Sequence, residues 1–187
     1  MAKKLTLLTM AIGAMLALAI PAMASASSLT MPEKTLVPVG TAIQGTSTDV
    51  VTTTSLGNLK CEKVTVNGKV TKNNGTEVEG TANGASTSSN CFFKTNPIAI
   101  KNITLNNIKS TTIGSGTASL SFEAEVKPGE LNCKYSGSAV PFTYTSGTDS
   151  LLLSGGLTAS PAACGTASIK GNFTLETIEE KGPVLLS

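Results

Sequence analysis

Apolar and polar residues alternate at a period of two along much of this chain, and no stretch shows the spacing of an amphipathic helix. The clearest alternation covers residues 117–126. Because successive side chains of a strand point to opposite faces, this segment predicts a strand with one buried and one wet face. The side chains predicted to face the core are Ala118, Leu120, Phe122, Ala124 and Val126.

The same alternation predicts three further strands in the second half of the chain. A Lys-Pro-Gly-Glu sequence at residues 127–130 predicts a turn before the first of them. Gly171 interrupts the last alternation and predicts a bulge or a close neighbour there. The predicted inward residues are Leu131, Cys133 and Tyr135, then Val140, Phe142 and Tyr144, then Ala167, Ile169, Phe173 and Leu175.

The first half of the chain shows shorter alternations. Val64 and Val66 precede an Asn-Gly pair at residues 67–68, which predicts a hairpin that returns over residues 69–72. Residues 76–79 predict a short polar edge strand. The apolar phase slips at Lys101 and Asn102, which predicts a bulge. With about ten to twelve such strands, we expect an all-β fold: a two-sheet antiparallel sandwich of Greek-key or immunoglobulin-like order, or a barrel-like variant.

The first 26 residues have the features of a secretory signal peptide. Two lysines, Lys3 and Lys4, precede an apolar run, and small residues then offer cleavage after Ala24 or Ala26. We therefore expect residues 1–26 to be removed and residues 27–187 to form a single β domain. The product is expected to be secreted or envelope-associated, with no stable membrane span after cleavage.

Four cysteines follow the predicted signal peptide, and an even number in an exported chain predicts two disulfides. Sequence alone permits three pairings. We favour Cys61–Cys91 and Cys133–Cys164, because the two separations and the residues before each first cysteine are closely similar. Metal binding is the competing hypothesis, but no C-x-x-C pair occurs.

Missing residue types exclude several functions. The chain has no His, Arg or Trp, so it cannot build a Ser-His-Asp or Cys-His catalytic group or a histidine-rich zinc site. Its formal net charge of +2 falls to zero when the two N-terminal lysines are removed, so we expect no nucleic-acid partner. We expect no catalytic residue, no cofactor and no metal.

Two kinds of segment remain as candidate sites. Residues 80–90 and 157–163 are rich in small polar residues, and each is either a binding loop or a surface excursion between strands. Two acidic pairs could help to hold calcium or act as glycosidase carboxylates. They could equally be charges that protect an exposed strand from aggregation. These pairs are Glu77 with Glu79 and Glu123 with Glu125.

Several segments together resemble a broad set of uncharacterised exported bacterial β-sandwich proteins of actinobacterial type. The resembling segments are residues 56–61, 67–71, 116–126, 131–135 and 170–175. The resemblance implies export, a sandwich fold and paired disulfides. It assigns no catalytic residue.

Two function classes follow from these observations. The leading hypothesis is an exported, non-enzymatic structural or interaction module of the cell envelope or medium, whose partner is itself or another envelope protein. The alternative is a carrier or binder of a small apolar ligand. Apolar runs at residues 92–93 and 151–153 place apolar side chains on both faces of a strand, which fits either an apolar ligand or burial under a long loop or the second sheet. A third class is a carboxylate-based hydrolase.

Overall fold

The structure is a computed structural model that describes residues 27–82, 86–127 and 131–187. The predicted signal peptide and most of the predicted turn at residues 127–130 lie outside the described residues. Among those described, the only helix is a 3-10 turn at Ala162–Cys164. None of the helical structure in these ranges is long and apolar enough to cross a membrane.

The described chain forms thirteen strands, and the fold is all-β. In chain order they are β1 (Leu29–Thr30), β2 (Ala42–Ser47), β3 (Val50–Thr54), β4 (Gly57–Asn73), β5 (Val78–Ala82), β6 (Thr87–Phe93), β7 (Asn96–Ile98), β8 (Ile100–Thr112), β9 (Ser115–Lys127), β10 (Leu131–Tyr144), β11 (Ser150–Ser160), β12 (Ala167–Thr177) and β13 (Leu185–Leu186).

Eleven of these strands form one antiparallel sheet that closes into an eight-strand barrel. β8 to β12 follow one another as an up-and-down meander. β2 and β3 then occupy one position in the wall, because each of them pairs with β12 on one side and β4 on the other. β5 pairs with β4 and β8 and completes the circuit. The two-sheet sandwich is not confirmed, because this closure joins the eleven strands in a single sheet, and β1 and β13 form only a separate two-stranded sheet.

The inward positions predicted from alternation are largely confirmed. All five inward residues of β9 are buried, as are Cys133, Tyr135, Val140, Phe142 and Tyr144 on β10. On β12, Ala167, Ile169 and Phe173 are buried and Leu175 is half-buried. Gly171 has a close neighbour, since a Cβ there would lie 3.0 Å from Val50 Cγ2. The bulge at Asn102 is also confirmed by a shift in the register of β8 against β9.

The hairpin predicted at Asn67 and Gly68 is wrong. β4 passes straight through both residues, and Gly68 pairs with Ile43 on one side and Ala82 on the other. A Cβ at Gly68 would lie 3.1 Å from a backbone oxygen of β5, so the glycine permits close strand approach there. The chain turns instead after β4, at the second Asn-Gly pair, where Gly75 has a φ of 83°.

Three other predictions of exposed segments need correction. The short strand near residues 76–79 is β5, and it lies between β4 and β8 instead of at an edge. Residues 80–90 are not one long loop, since β5 extends to Ala82 and β6 begins at Thr87. β11 likewise continues to Ser160, so most of residues 157–163 belong to a strand. Cross-strand pairing with neighbours overrides the small polar composition of these segments.

Both chain ends of the described part meet at one end of the barrel and form what we call the terminal cap, residues 27–37 and 184–187. β1 pairs with β13, and Ser28 and Ser187 exchange two backbone hydrogen bonds of 2.6 and 2.9 Å. Ser27 is fully buried, with its hydroxyl 2.8 Å from both Ser110 Oγ and Tyr144 OH. The cap therefore covers the end of the barrel that is formed by the last residues of β4 and β10.

Two disulfides lie toward the opposite end, in the pairing that the sequence separations favour. Cys61–Cys91 joins directly opposed residues of β4 and β6, with a Cα–Cα distance of 4.0 Å. Cys133–Cys164 joins β10 to the 3-10 turn after β11, with a Cα–Cα distance of 5.8 Å. Each disulfide fixes a segment whose local sequence is rich in small polar residues.

Candidate ligand site inside the barrel

A cavity of about 120 Å³ lies inside the barrel beneath the terminal cap. Its walls come from nearly every strand, and Leu29 and Leu186 of the cap close its end. Several wall positions carry no side chain or a single methyl group: Gly45, Gly68, Gly80 and Ala118. Neighbouring side chains therefore do not fill the space between the strands at this level.

A second cavity of about 50 Å³ adjoins the first on the side of the disulfides. The two cavities share Val66, Leu105, Leu153 and Phe173, so they form adjacent parts of one interior. The lining of the second cavity is apolar except for two hydroxyl side chains, Thr52 and Ser88, and the half-cystine Cys61. We call the two cavities together the barrel interior site.

The barrel wall is weakest where β5 and β6 face β8. β8 pairs with β5 through Ser110, Lys109 and Ile108 only. Within the described chain, residues 100–107 pair with β9 alone. Four apolar residues of β8 are consequently only half-buried and also line the interior site: Ile100, Ile103, Leu105 and Ile108. This seam is the route by which the site approaches solvent.

The first acidic pair lies beside the seam, and Glu79 also contributes to the lining of the larger cavity. Glu77 forms ion pairs with Lys72 and Lys109, and Lys109 also contacts Glu79 at 3.2 Å. Hydrogen bonds from Lys109, and then from Lys72, lower the pKa of Glu77 to about 2, while Glu77 raises the pKa of Lys109. A carboxyl with this pKa is ionised at neutral pH and cannot donate a proton as a general acid.

The second acidic pair lies on β9. Glu123 accepts a hydrogen bond of 2.8 Å from Asn102 Nδ2. Glu123 is opposite Lys101 of β8 and Glu79 is opposite Lys109, so roughly 20–25 Å of strand separates the two acidic pairs. In the described ranges, no three His, Cys, Asp or Glu residues are grouped closely enough to hold a metal ion.

Two buried hydroxyl groups near the disulfide end have no hydrogen-bond partner among the described residues: Thr52 Oγ1 and Tyr135 OH. Tyr135 packs against Phe122, with 5.3 Å between ring centroids, and it does not line either cavity. Burial raises the pKa of the Tyr135 hydroxyl. The nearby Thr54 hydroxyl lowers this pKa in part, although the two hydroxyl groups do not have the geometry of a hydrogen bond. Thr52, by contrast, is buried and lines the smaller cavity.

The alternation pattern did not distinguish Thr52 from the other threonines of β3. In the sequence Val-Val-Thr-Thr-Thr at residues 50–54, every threonine is explained by strand propensity alone. Leu151 and Leu153, from the apolar run that suggested an apolar ligand, do line the larger cavity.

Comparison of the chain with protein-family models, with curated proteins and with solved structures found no match.

Proposed function

We propose that this protein binds a small apolar ligand inside its barrel. The observation that carries the proposal is the interior site itself: two adjoining cavities inside the barrel whose exposed lining surface is almost wholly apolar, although Lys69, Glu79 and Ser110 also border the larger one. An eight-strand barrel is just wide enough to be filled by side chains or to hold one small ligand. Of the two function classes expected from the sequence, the geometry favours the ligand binder.

The size of the site suits a ligand that contains between a few and about ten carbon atoms. An engineered apolar cavity of about 150 Å³ stays dry and takes up benzene. The larger cavity here is similar, at about 120 Å³, and the smaller one extends it. Transfer of an apolar molecule from water into such a site is favourable by roughly 25 cal/mol per Å² of buried surface.

The seam along β8 supplies an entrance. Within the described ranges, residues 100–107 pair on one side only, so separation of β8 from β5 and β6 breaks three residue pairs instead of a full ladder. The half-buried isoleucines at the seam give an entering ligand apolar contact on its way inside. The terminal cap, by comparison, is held by many backbone hydrogen bonds.

We also propose that the protein works outside the cytoplasm, without enzyme activity, cofactor or metal. Two disulfides are typical of oxidising compartments. The intact mass of the protein recovered from its host tests the export proposal. A mass equal to residues 27–187 less four hydrogens supports removal of the signal peptide and both disulfides. A mass that includes residues 1–26 contradicts it.

Calorimetric titration with ethylbenzene tests the ligand proposal. We expect saturable one-to-one binding and a rise in melting temperature, because a ligand that binds only the folded state stabilises it. Ala118→Leu fills part of the larger cavity and should abolish binding, whereas Ala139→Leu adds the same group at an exposed position and should not. Absence of binding to the natural chain, or equal binding by both variants, contradicts the proposal.

A second candidate is the structural or interaction module, with this chain or another envelope protein as partner. One observation favours it: residues 100–107 of β8 have one edge that pairs with no other strand of the described chain, and this edge can accept a strand from a neighbour. Light scattering coupled to size-exclusion chromatography tests self-association. A dimer whose formation is blocked by Thr104→Pro supports this function, and a monomer at high concentration argues against self-assembly.

A further inference from the structure

We propose that β5 and β8 form a gate to the barrel interior site, and that Lys109 latches this gate by bridging Glu77 and Glu79. The inference rests on the proposed function and assigns the regulation of that same site. The ligand enters and leaves when β5 and β8 separate, and the ion pairs of Lys109 set how often they do so.

The gate lies directly on the wall of the larger cavity. Three residue pairs form it: Val78 with Ser110, Glu79 with Lys109, and Gly80 with Ile108. All three residues from β5 border the larger cavity, as do two of the three from β8. Separation at these pairs therefore opens the cavity to solvent. β11 and β12, by contrast, pair without a break along residues 150–157.

The strand β8 is irregular next to the gate. Its register against β9 shifts between Asn106 and Lys109, and Asn107 has a φ of 49°, in the left-handed region. A bulge of this kind interrupts a ladder and bends the strand. Beyond it, residues 100–107 pair with no strand of the described chain except β9. Once the three pairs of the gate break, no further ladder resists the opening on this side.

The ion pairs hold the gate from the outer face of the barrel. Lys109 Nζ on β8 lies 2.5 Å from Glu77 Oε1 and 3.2 Å from Glu79 Oε1, and Glu77 also pairs with Lys72 of β4. Such pairs add little to the stability of a whole fold. A local opening costs much less free energy than global unfolding, so a small contribution changes the population of the open state several-fold.

A gate has a kinetic signature that a ligand contact lacks. When a ligand passes through a minor open state, its rates of entry and exit both scale with the population of that state. Loss of the latch should therefore raise the association and dissociation rate constants by the same factor. The dissociation constant should stay the same, because Lys109 lines neither cavity.

The test measures the exchange rates of ethylbenzene by NMR in the natural chain, Lys109→Met and Lys60→Met. Lys109→Met removes the latch and keeps an unbranched apolar side chain. Lys60→Met is the matched control, because it breaks an exposed ion pair with Asp49 of 3.3 Å beside two strands that stay fully paired, β3 and β4. Amide hydrogen exchange in the ligand-free protein measures opening of the gate independently.

We expect Lys109→Met to raise both rate constants about 3- to 10-fold and to change the dissociation constant by less than about 2-fold. Amide exchange at residues 78–80 and 108–110 should quicken in the same variant. Lys60→Met should change none of these quantities.

Two results would overturn the inference while the proposed function stands. In the first, ethylbenzene binds but Lys109→Met leaves both rates unchanged, or Lys60→Met changes them equally. In the second, Asn73→Ala, which loosens the terminal cap, speeds exchange and Lys109→Met does not, so the ligand passes through the cap. If ethylbenzene does not bind the natural chain, the proposed function fails as well.

Discussion

Asn73 holds Leu29 through both of its backbone groups, although the two residues are 44 positions apart. Leu29 N–H donates to Asn73 Oδ1 over 3.1 Å, and Asn73 Nδ2 donates to the Leu29 carbonyl over 2.7 Å. The same amide also donates to the carbonyl of Val37 over 2.9 Å. One buried side chain at the end of β4 therefore fastens the terminal cap over the interior site.

Replacement of Asn73 by alanine should lower the free energy of unfolding by about 2–4 kcal/mol. The change removes three hydrogen bonds from a buried position, although the Leu29 carbonyl still accepts from the Val37 N–H, and each loss is costly. Chemical denaturation measures the effect. Asn132→Ala, at an exposed position of β10, should change stability by less than about 0.5 kcal/mol. Equal effects of the two changes would show that the amide does not hold the cap.

The stability of the protein should fall as the pH is lowered through the range from about 4.5 to about 2. The pKa of Glu77 in the fold is about 2, below the ordinary value of 4.5, so its ionised form favours the folded state. This contribution is fully present above the unfolded pKa and is lost as the pH falls through the folded pKa.

Melting temperature measured against pH, for the natural chain and Glu77→Gln, tests this contribution. The variant should lose less stability over that acidic range, because its amide does not titrate. Glu62→Gln changes an exposed carboxyl on β4 and serves as the control. This variant should keep the full pH dependence. Identical acid profiles for Glu77→Gln and the natural chain would refute the assignment.

Gly116 should not tolerate alanine. A Cβ at this position would lie 2.2 Å from Phe142 Cζ and 2.5 Å from the carbonyl oxygen of Lys109, and the backbone oxygen cannot move aside. We expect a loss of about 1–3 kcal/mol, as for other overpacked sites. Gly156→Ala is the matched control, because a Cβ there meets nothing within 4 Å. Thermal denaturation of both variants measures the difference.

Thr52→Val should leave the ligand-free protein as stable as the natural chain, or up to about 1 kcal/mol more stable. A methyl group replaces a buried hydroxyl that has no partner in the part of the chain that the structure describes, so no hydrogen bond is lost there. Thr54→Val should instead destabilise the protein, because the Thr54 hydroxyl donates to the Gly57 carbonyl at 2.7 Å. Unfolding in urea measures the free energy of unfolding of both variants. A large loss of stability in Thr52→Val would show that the Thr52 hydroxyl has a partner within the fold.

Alternation along the chain identified much of the barrel wall but did not identify the barrel. The inward residues of β9, such as Ala118 and Phe122, follow from the period of two, since each side chain's face depends only on its neighbours in the strand. A sandwich strand has the same period. The choice between sandwich and barrel depends on whether β2 and β3 pair with β12, and no local pattern records that contact.

Two of the three Asn-Gly pairs in the sequence lie within the described residues, and they show the same limit at a single turn. Asn67-Gly68 and Asn74-Gly75 carry the same hairpin signal, yet only the second turns the chain. Gly68 stays extended because strands on both sides pair with it. Local sequence offers the turn, and partners distant in the chain decide whether it forms.

The sequence by itself determined an all-β chain, the faces of most strands and cysteine separations that favour the observed pairs. These properties depend on alternation, residue type and spacing, which are local. Only the tertiary structure decided that one sheet closes on itself, that its strands enclose two adjoining cavities, and that the Thr52 hydroxyl is buried with no partner among the described residues. Each of these depends on contacts between strands distant in the chain, because a cavity is the space that several packed elements leave unfilled.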